Sequence, residues 1–165
     1  MSELEDLLER YRRGSELLAM ATTGAAGTEL DFKPSPEKWC VRQIVCHLAD
    51  AEAVGVMRLR SVAAEDDPTL MGYDQDAWAS SLDYGRRKIS KALETFRQLR
   101  GENHEMLKGL PEEAFARVGT HASAGKRSLL DLVRDDAEHL ENHVRQIQGV
   151  RAAYREQRAK KQASE

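Results

Sequence analysis

Apolar residues recur at spacings of three and four along most of this chain, and β-branched alternation is nearly absent, so the pattern predicts helices. The first helix runs from Glu3 to about Thr22, with Leu4, Leu7, Leu8, Tyr11, Ser15, Leu17 and Leu18 on its inner face and Gly24 and Gly27 beyond its end. A connector from Thr28 to Lys38 carries Pro34 and Pro36. The second helix opens near Cys40 and runs to about Ala64 on a stripe of Val41, Ile44, Val45, Leu48, Ala51, Gly55, Leu59 and Val62. Asp66, Asp67 and Pro68 stop it.

A join from about Glu65 to Ser81 follows, long enough to carry function or to take the chain from one end of a bundle to the other, leaving its flanking helices parallel. Within it, Gln75 to Ser80 reads as a short helix. The third long helix is expected from about Asp83 to Lys108, with Ile89, Leu93, Phe96, Leu99, Met106 and Leu107 inside and a bend at Gly101. Pro111 to Phe115 reads as one helical turn and Arg117 to Gly125 as a loop. Ser128 and Asp131 then form a near capping box that opens the last helix, whose inner stripe holds Val133, Ala137, Leu140, Val144 and Ile147, and which continues to about Arg155. Four amphipathic helices with one long crossover connection make an all-α four-helix bundle the expected fold, with residues 1–165 as a single domain and a basic tail that frays from about Arg155.

Composition narrows the function classes. A net charge of −3 over 165 residues argues against a nucleic-acid binder. The first residues are acidic and amphipathic without an apolar core, no run approaches a membrane span, and the expected location is cytoplasmic. Cys40 and Cys46 lie in one helix and are poorly placed to bridge each other.

The candidate chemistry lies in the histidines. His139 and His143 are four apart, which puts them about 40° apart around the helix and about 6 Å apart along it. Two imidazoles so placed can share one ion. His47 sits on the inner stripe of the second helix, where a polar group must be paired. A core histidine on one helix and a spaced pair on another is how bundles build metal sites, and three ligands leave open positions. Read without anything else, the same residues are equally a hydrogen-bonded core histidine and a polar helix face.

Pro34-Ser-Pro-Glu-Lys-Trp39-Cys-Val-Arg-Gln-Ile-Val-Cys-His47-Leu-Ala-Asp50-Ala-Glu52 resembles the signature of DinB/YfiT-like proteins, in which a proline-rich turn and a tryptophan lead into His-Leu-x-x-x-Glu. His139-Leu-Glu-Asn-His143-Val-Arg-Gln-Ile147 looks like the family's C-terminal signature, and Tyr73-Asp-Gln-Asp-Ala-Trp78 is similar to its aromatic join. The resemblance spans about Pro34 to Ile147. It implies a four-helix bundle, often dimeric, with a divalent cation on His47, His139 and His143; Zn or Ni come first, then Fe, Mn and Cu. It also implies a functional range: S-transfer from a low-molecular-weight thiol to an electrophilic substrate, or metal-dependent hydrolysis with water in place of the thiol; the competing reading is a non-catalytic, metal-stabilised dimeric binding or stress-response module. In either enzyme the nucleophile would be a thiol or water activated by the ion, and no side chain is singled out for that role.

The chain departs from the family pattern at Cys40, where the helix cap is usually Ser or Thr; the thiol is either a tolerated substitution or lies near the site entrance, and Cys46 is read as packing. Asp50 and Asp136, each one turn from a histidine, are candidates for fixing a ring tautomer, or else solvated carboxylates. Trp39, Tyr73 and Trp78 either wall a pocket or pin the connectors. His104 and His121 are expected at the surface, and Arg145 and Gln146 match the end motif without an assigned contact.

Overall fold

The computed structural model describes residues 2–164. Helix α1 spans Glu3–Thr22, α2 Val41–Ala64, α3 Gln75–Ser81, α4 Ile89–Lys108 and α5 Leu129–Ala163. Side-chain caps fix the starts. Ser2 and Glu5 exchange bonds at α1, Ser128 and Asp131 at α5, and the Asp74 carboxylate accepts from the Asp76 and Ala77 amides at α3. At α2 the Cys40 amide donates to Gln43 Oε1 at 3.2 Å.

The four long helices form a ring in the order α1, α4, α2, α5. Cross-contacts set the directions. Arg10 reaches Glu141 and Arg151 reaches the Ala21 carbonyl, so α1 and α5 run parallel. Glu52 pairs with Arg100 and Arg60 with Asn103, so α2 and α4 are parallel too, as the long crossover predicts. Chain neighbours α1 and α2 therefore sit diagonally, as do α4 and α5.

Three short strands make a small sheet that the sequence reading placed in loops: β1 Thr69–Leu70, β2 Val118–His121 and β3 Gly125–Ser128. β1 pairs parallel to β2 (Leu70 opposite His121), and β2 pairs antiparallel to β3. Strands of two and four residues are too short to show a period-two pattern, which is why they read as loop. Gly119 is required where β2 crosses α2: a Cβ there would lie 2.9 Å from both Leu70 Cδ2 and Val62 Cγ2.

Two further expectations are corrected. α4 begins at Ile89, because Asp83 takes a positive φ of 50° and the chain makes a 3-10 turn over Tyr84–Arg86 first. From there α4 continues as helix through the exposed Gly101. α5 also passes the expected end near Arg155 and stays helical, with an exposed surface, to Ala163.

The core divides into two apolar clusters, one around Leu18, Ile44, Phe96, Leu140 and Ile147, the other around Leu7, Leu59, Leu107, Leu129 and Val133. Between them each long helix contributes a polar residue. Arg100 donates to both oxygens of Glu52 (2.8 and 2.6 Å), Tyr11 OH donates to Glu52 at 3.0 Å, and Asn103 donates to Tyr11 OH at 3.3 Å. The Arg100 guanidinium stacks 3.9 Å from the Tyr11 ring. Gly14 makes room for it; a Cβ there would meet Leu140 Cδ2 at 2.3 Å and Arg100 Nη1 at 3.0 Å. Asp136 of α5 faces the same layer, with Oδ2 3.1 Å from where a Gly55 Cβ would stand. Burial, followed by the charge of Glu52, pushes its carboxyl up to about 7.

Candidate metal centre

His47 lies in the second turn of α2, fully buried, while His139 and His143 project from α5 on the antiparallel seam. His47 Nε2 is 3.1 Å from His139 Nε2, which is 3.0 Å from His143 Nε2. One ligand atom from each ring lies within 4.8 Å of the other two. Among the described residues this is the one such group of His, Cys, Asp or Glu, and no carboxylate or thiol joins it.

Hydrogen bonds alone do not satisfy this arrangement. His139 Nε2 offers either one N–H or one lone pair, yet faces two neighbouring ring nitrogens. Burial pushes His47 down to about 3, helped by His143 and His139, so its ring is neutral at ordinary pH. His139 is pushed down to about 4 by burial, then by His143, Arg100 and Arg58, and burial lowers His143 as well. Three neutral imidazoles with their Nε2 atoms turned on one point are a donor set that a divalent cation fits.

The outer nitrogens agree with that reading at one ring. His143 Nδ1 is 2.7 Å from Gln146 Oε1, an acceptor that keeps the proton on Nδ1 and the lone pair on Nε2. Gln146, which the sequence left without a role, is thus the partner that sets the His143 tautomer. His47 Nδ1 is buried without a protein partner.

Neither of the two candidate carboxylates holds a ring N–H, and neither is a solvated helix carboxylate. Asp50 accepts from Tyr84 OH at 2.7 Å and from Arg87 at 2.8 Å, fastening the Tyr84–Arg86 turn to α2. Asp136, though one turn from His139, faces Glu52 and Arg100 in the polar layer. Cys40 and Cys46 are free and buried. Cys46 packs with its sulfur 3.8 Å from the Tyr84 carbonyl, and burial pushes its thiol up to about 11, so both thiols read as packing. His121 is half-buried against Arg58 and His104 beside Glu105, neither with the cluster.

The aromatic residues both wall the site and pin the connectors. The Trp39 ring centre is 5.1 Å from that of His47, Tyr73 is 6.5 Å from His47, and Trp78 stacks on Tyr73 at 4.6 Å. The sheet positions this wall, since Tyr73 lies three residues beyond the Leu70–His121 pair. Arg58 adds a clamp, donating to the Met71 carbonyl at 2.8 Å from Nε and 2.5 Å from Nη2.

The family model described as the DinB superfamily matches residues 10–147. A protein of Oceanobacillus iheyensis with the name "Putative metal-dependent hydrolase" is 26% identical over 147 residues, covering 89% of this chain and 81% of that protein. One of Geobacillus kaustophilus, named in the same way, is 27% identical over 150 residues, covering 90% and 84%. The solved structure of YfiT from Bacillus subtilis, described as "a probable metal-dependent hydrolase with an unusual four-helix bundle topology", superposes with a TM-score of 0.84 at 23% identity, over 91% of this chain and 87% of that one.

Proposed function

We propose, for a chain that belongs to the DinB superfamily, that His47, His139 and His143 hold a divalent cation, Zn or Ni foremost, and that the centre is catalytic. The observation that carries this is the convergence of three neutral Nε2 atoms on one point with no carboxylate among them. A divalent cation bound there supplies Lewis acidity, lowering the pKa of water or of a thiol in the positions the three imidazoles leave open.

The protein's own residues do the rest. His47 fixes the floor, buried in α2. Gln146 holds the His143 proton on Nδ1, so that Nε2 faces inward. Trp39, Tyr73 and Trp78 exclude water from one side and offer an apolar face to a substrate. Hydrolysis is the reading that similarity to proteins named as metal-dependent hydrolases supports. Transfer from a low-molecular-weight thiol to an electrophile is a second reading, favoured by the lack of a carboxylate in the cluster: a thiol that ionises on binding needs no protein base. A homodimer in the cytoplasm belongs to the same reading.

The test is elemental analysis of protein purified without chelator or affinity metal, for wild type and His143→Ala, then turnover of electrophilic esters with and without added thiol. About one divalent ion per chain, absent from the variant, supports the centre. No ion in wild type, even after zinc or nickel is added, sinks it. Turnover that requires the thiol selects transfer; turnover in water alone selects hydrolysis.

A further inference from the structure

Among the described residues, His47 Nδ1 is the one buried side-chain nitrogen or oxygen without a hydrogen-bond partner. A buried polar atom left so is costly and asks for an explanation. The cost depends on which ring nitrogen holds the proton. His47 Nε2 lies 3.1 Å from His139 Nε2 and, in the metal-centre reading, offers its lone pair to the ion. The proton then stands on Nδ1, a donor with no oxygen or nitrogen to receive it.

Four rings surround His47. His139 and His143 lie on the Nε2 side, where one nitrogen of each joins the cluster. Tyr73 is 6.5 Å away at a tilt of 34°, nearer to stacked than to edge-on. Trp39 remains, its ring centre 5.1 Å from that of His47 and tilted by 59°. That separation and tilt suit an edge set against a face, the arrangement in which an N–H meets the electron-rich face of an indole.

The chain brings the two rings together. Trp39 immediately precedes the Cys40 cap of α2. The Lys38 amide donates to the Ser35 carbonyl and the Arg42 amide to the Leu30 carbonyl, each at 3.0 Å, so the connector folds back onto the start of the helix. There Trp39 packs, half-buried, against the apolar cluster of Leu18 and Ile44. Helical side chains lean toward the N-terminus of their helix, which from His47 is the direction of Trp39. The same tautomer orders the rest of the cluster. Gln146 keeps the His143 proton on Nδ1, so both outer rings turn lone pairs inward and the His139 Nε2–H between them is the donor.

We propose that Trp39 is a positioning residue of the centre: its indole face accepts the His47 Nδ1–H and so holds the Nε2 lone pair toward the ion. The proposal rests on the metal-centre reading and gives His47 the partner that Gln146 gives His143.

The test uses the whole chain, first metal-free and then titrated with zinc. Proton–nitrogen correlation spectra of protein isotope-labelled at histidine read which nitrogen of His47 is protonated and where that proton resonates, with His47→Gln to assign the ring. Metal-free wild type is expected to hold the proton on Nδ1 and to show it shifted upfield by the indole ring. Trp39→Leu is expected to lose the upfield shift and to bind zinc about tenfold more weakly. Trp39→Phe, which keeps an aromatic face, is expected to retain the shift and most of the affinity. If Trp39 served only as a wall, the wild-type proton would show no upfield shift. A proton on Nε2 in metal-free wild type, an unshifted Nδ1 proton, or equal zinc affinity in wild type and Trp39→Leu overturns the proposal. Failure of wild type to take up zinc overturns the metal-centre reading instead, and the positioning role with it; the wild-type titration tells the two failures apart.

Discussion

The bundle buries two polar clusters about one helical turn apart, and they are built on opposite rules. In the layer of Tyr11, Glu52, Arg100 and Asn103, opposite charges meet and the donors and acceptors find one another. In the cluster of His47, His139 and His143 there is no charge, the inward nitrogens outnumber the hydrogen bonds they can make, and His47 Nδ1 is left alone. The hydrogen bonds of the first close on one another, while those of the second leave ring nitrogens over. Burial of polar groups therefore does not by itself mark a functional site; buried groups whose lone pairs converge unsatisfied do.

The comparison breaks first at the closed layer. Arg100→Met leaves Glu52 buried without its partner and removes the stacking on Tyr11, so urea denaturation is expected to show a loss of about 3–5 kcal/mol. Replacing both residues, Glu52→Met with Arg100→Met, should lose less, because the uncompensated charge is gone. A double variant less stable than Arg100→Met would show that the layer is held by something other than the pair.

The open cluster should respond to a ligand where the closed layer does not. A divalent cation at 100 times its dissociation constant is expected to raise unfolding stability by about 2.7 kcal/mol in wild type, equally in Arg100→Met and not in His143→Ala. Stabilisation that survives in His143→Ala would place the ion elsewhere.

The open cluster should also respond to pH in the metal-free protein. The unfolded chain protonates its histidines near their ordinary value of about 6.5, whereas folded His47 and His139 resist until about 3 and about 4. The unfolded state therefore binds more protons below that ordinary value, so stability is complete above it and declines as pH falls toward 4. Denaturant midpoints across this range for wild type and His47→Leu check it; a decline as steep in the variant as in wild type would remove His47 as a cause.

Much of this was legible in the sequence. The four long helices followed from spacing and the Ser128–Asp131 box from residue type; spacing made the three histidines candidates, and it took the family resemblance to join them into one site. The closed layer did not. Phe96, Arg100, Asn103 and Leu107 continue one stripe of α4, but an inner stripe read by hydrophobicity passes over an arginine and selects half-buried Leu99 and Met106 instead. The partners of Asp50 and Asp136 were out of reach because sequence distance to a histidine says nothing of which neighbouring helix offers an arginine or a tyrosine. Gln146 was within reach: an acceptor three residues after His143 lies on the same helix face.

The two-residue strand β1 gives the site an uneven order of assembly. Its floor forms when two long helices pack, a step that brings a large apolar core with it. The rim waits for a parallel pairing between segments some 50 residues apart in the chain, held by few backbone bonds. A contact of that kind forms late and is among the first to open. His47, His139 and His143 can thus be brought together by helix packing alone, while the placing of Tyr73 depends on the short strand pair as well.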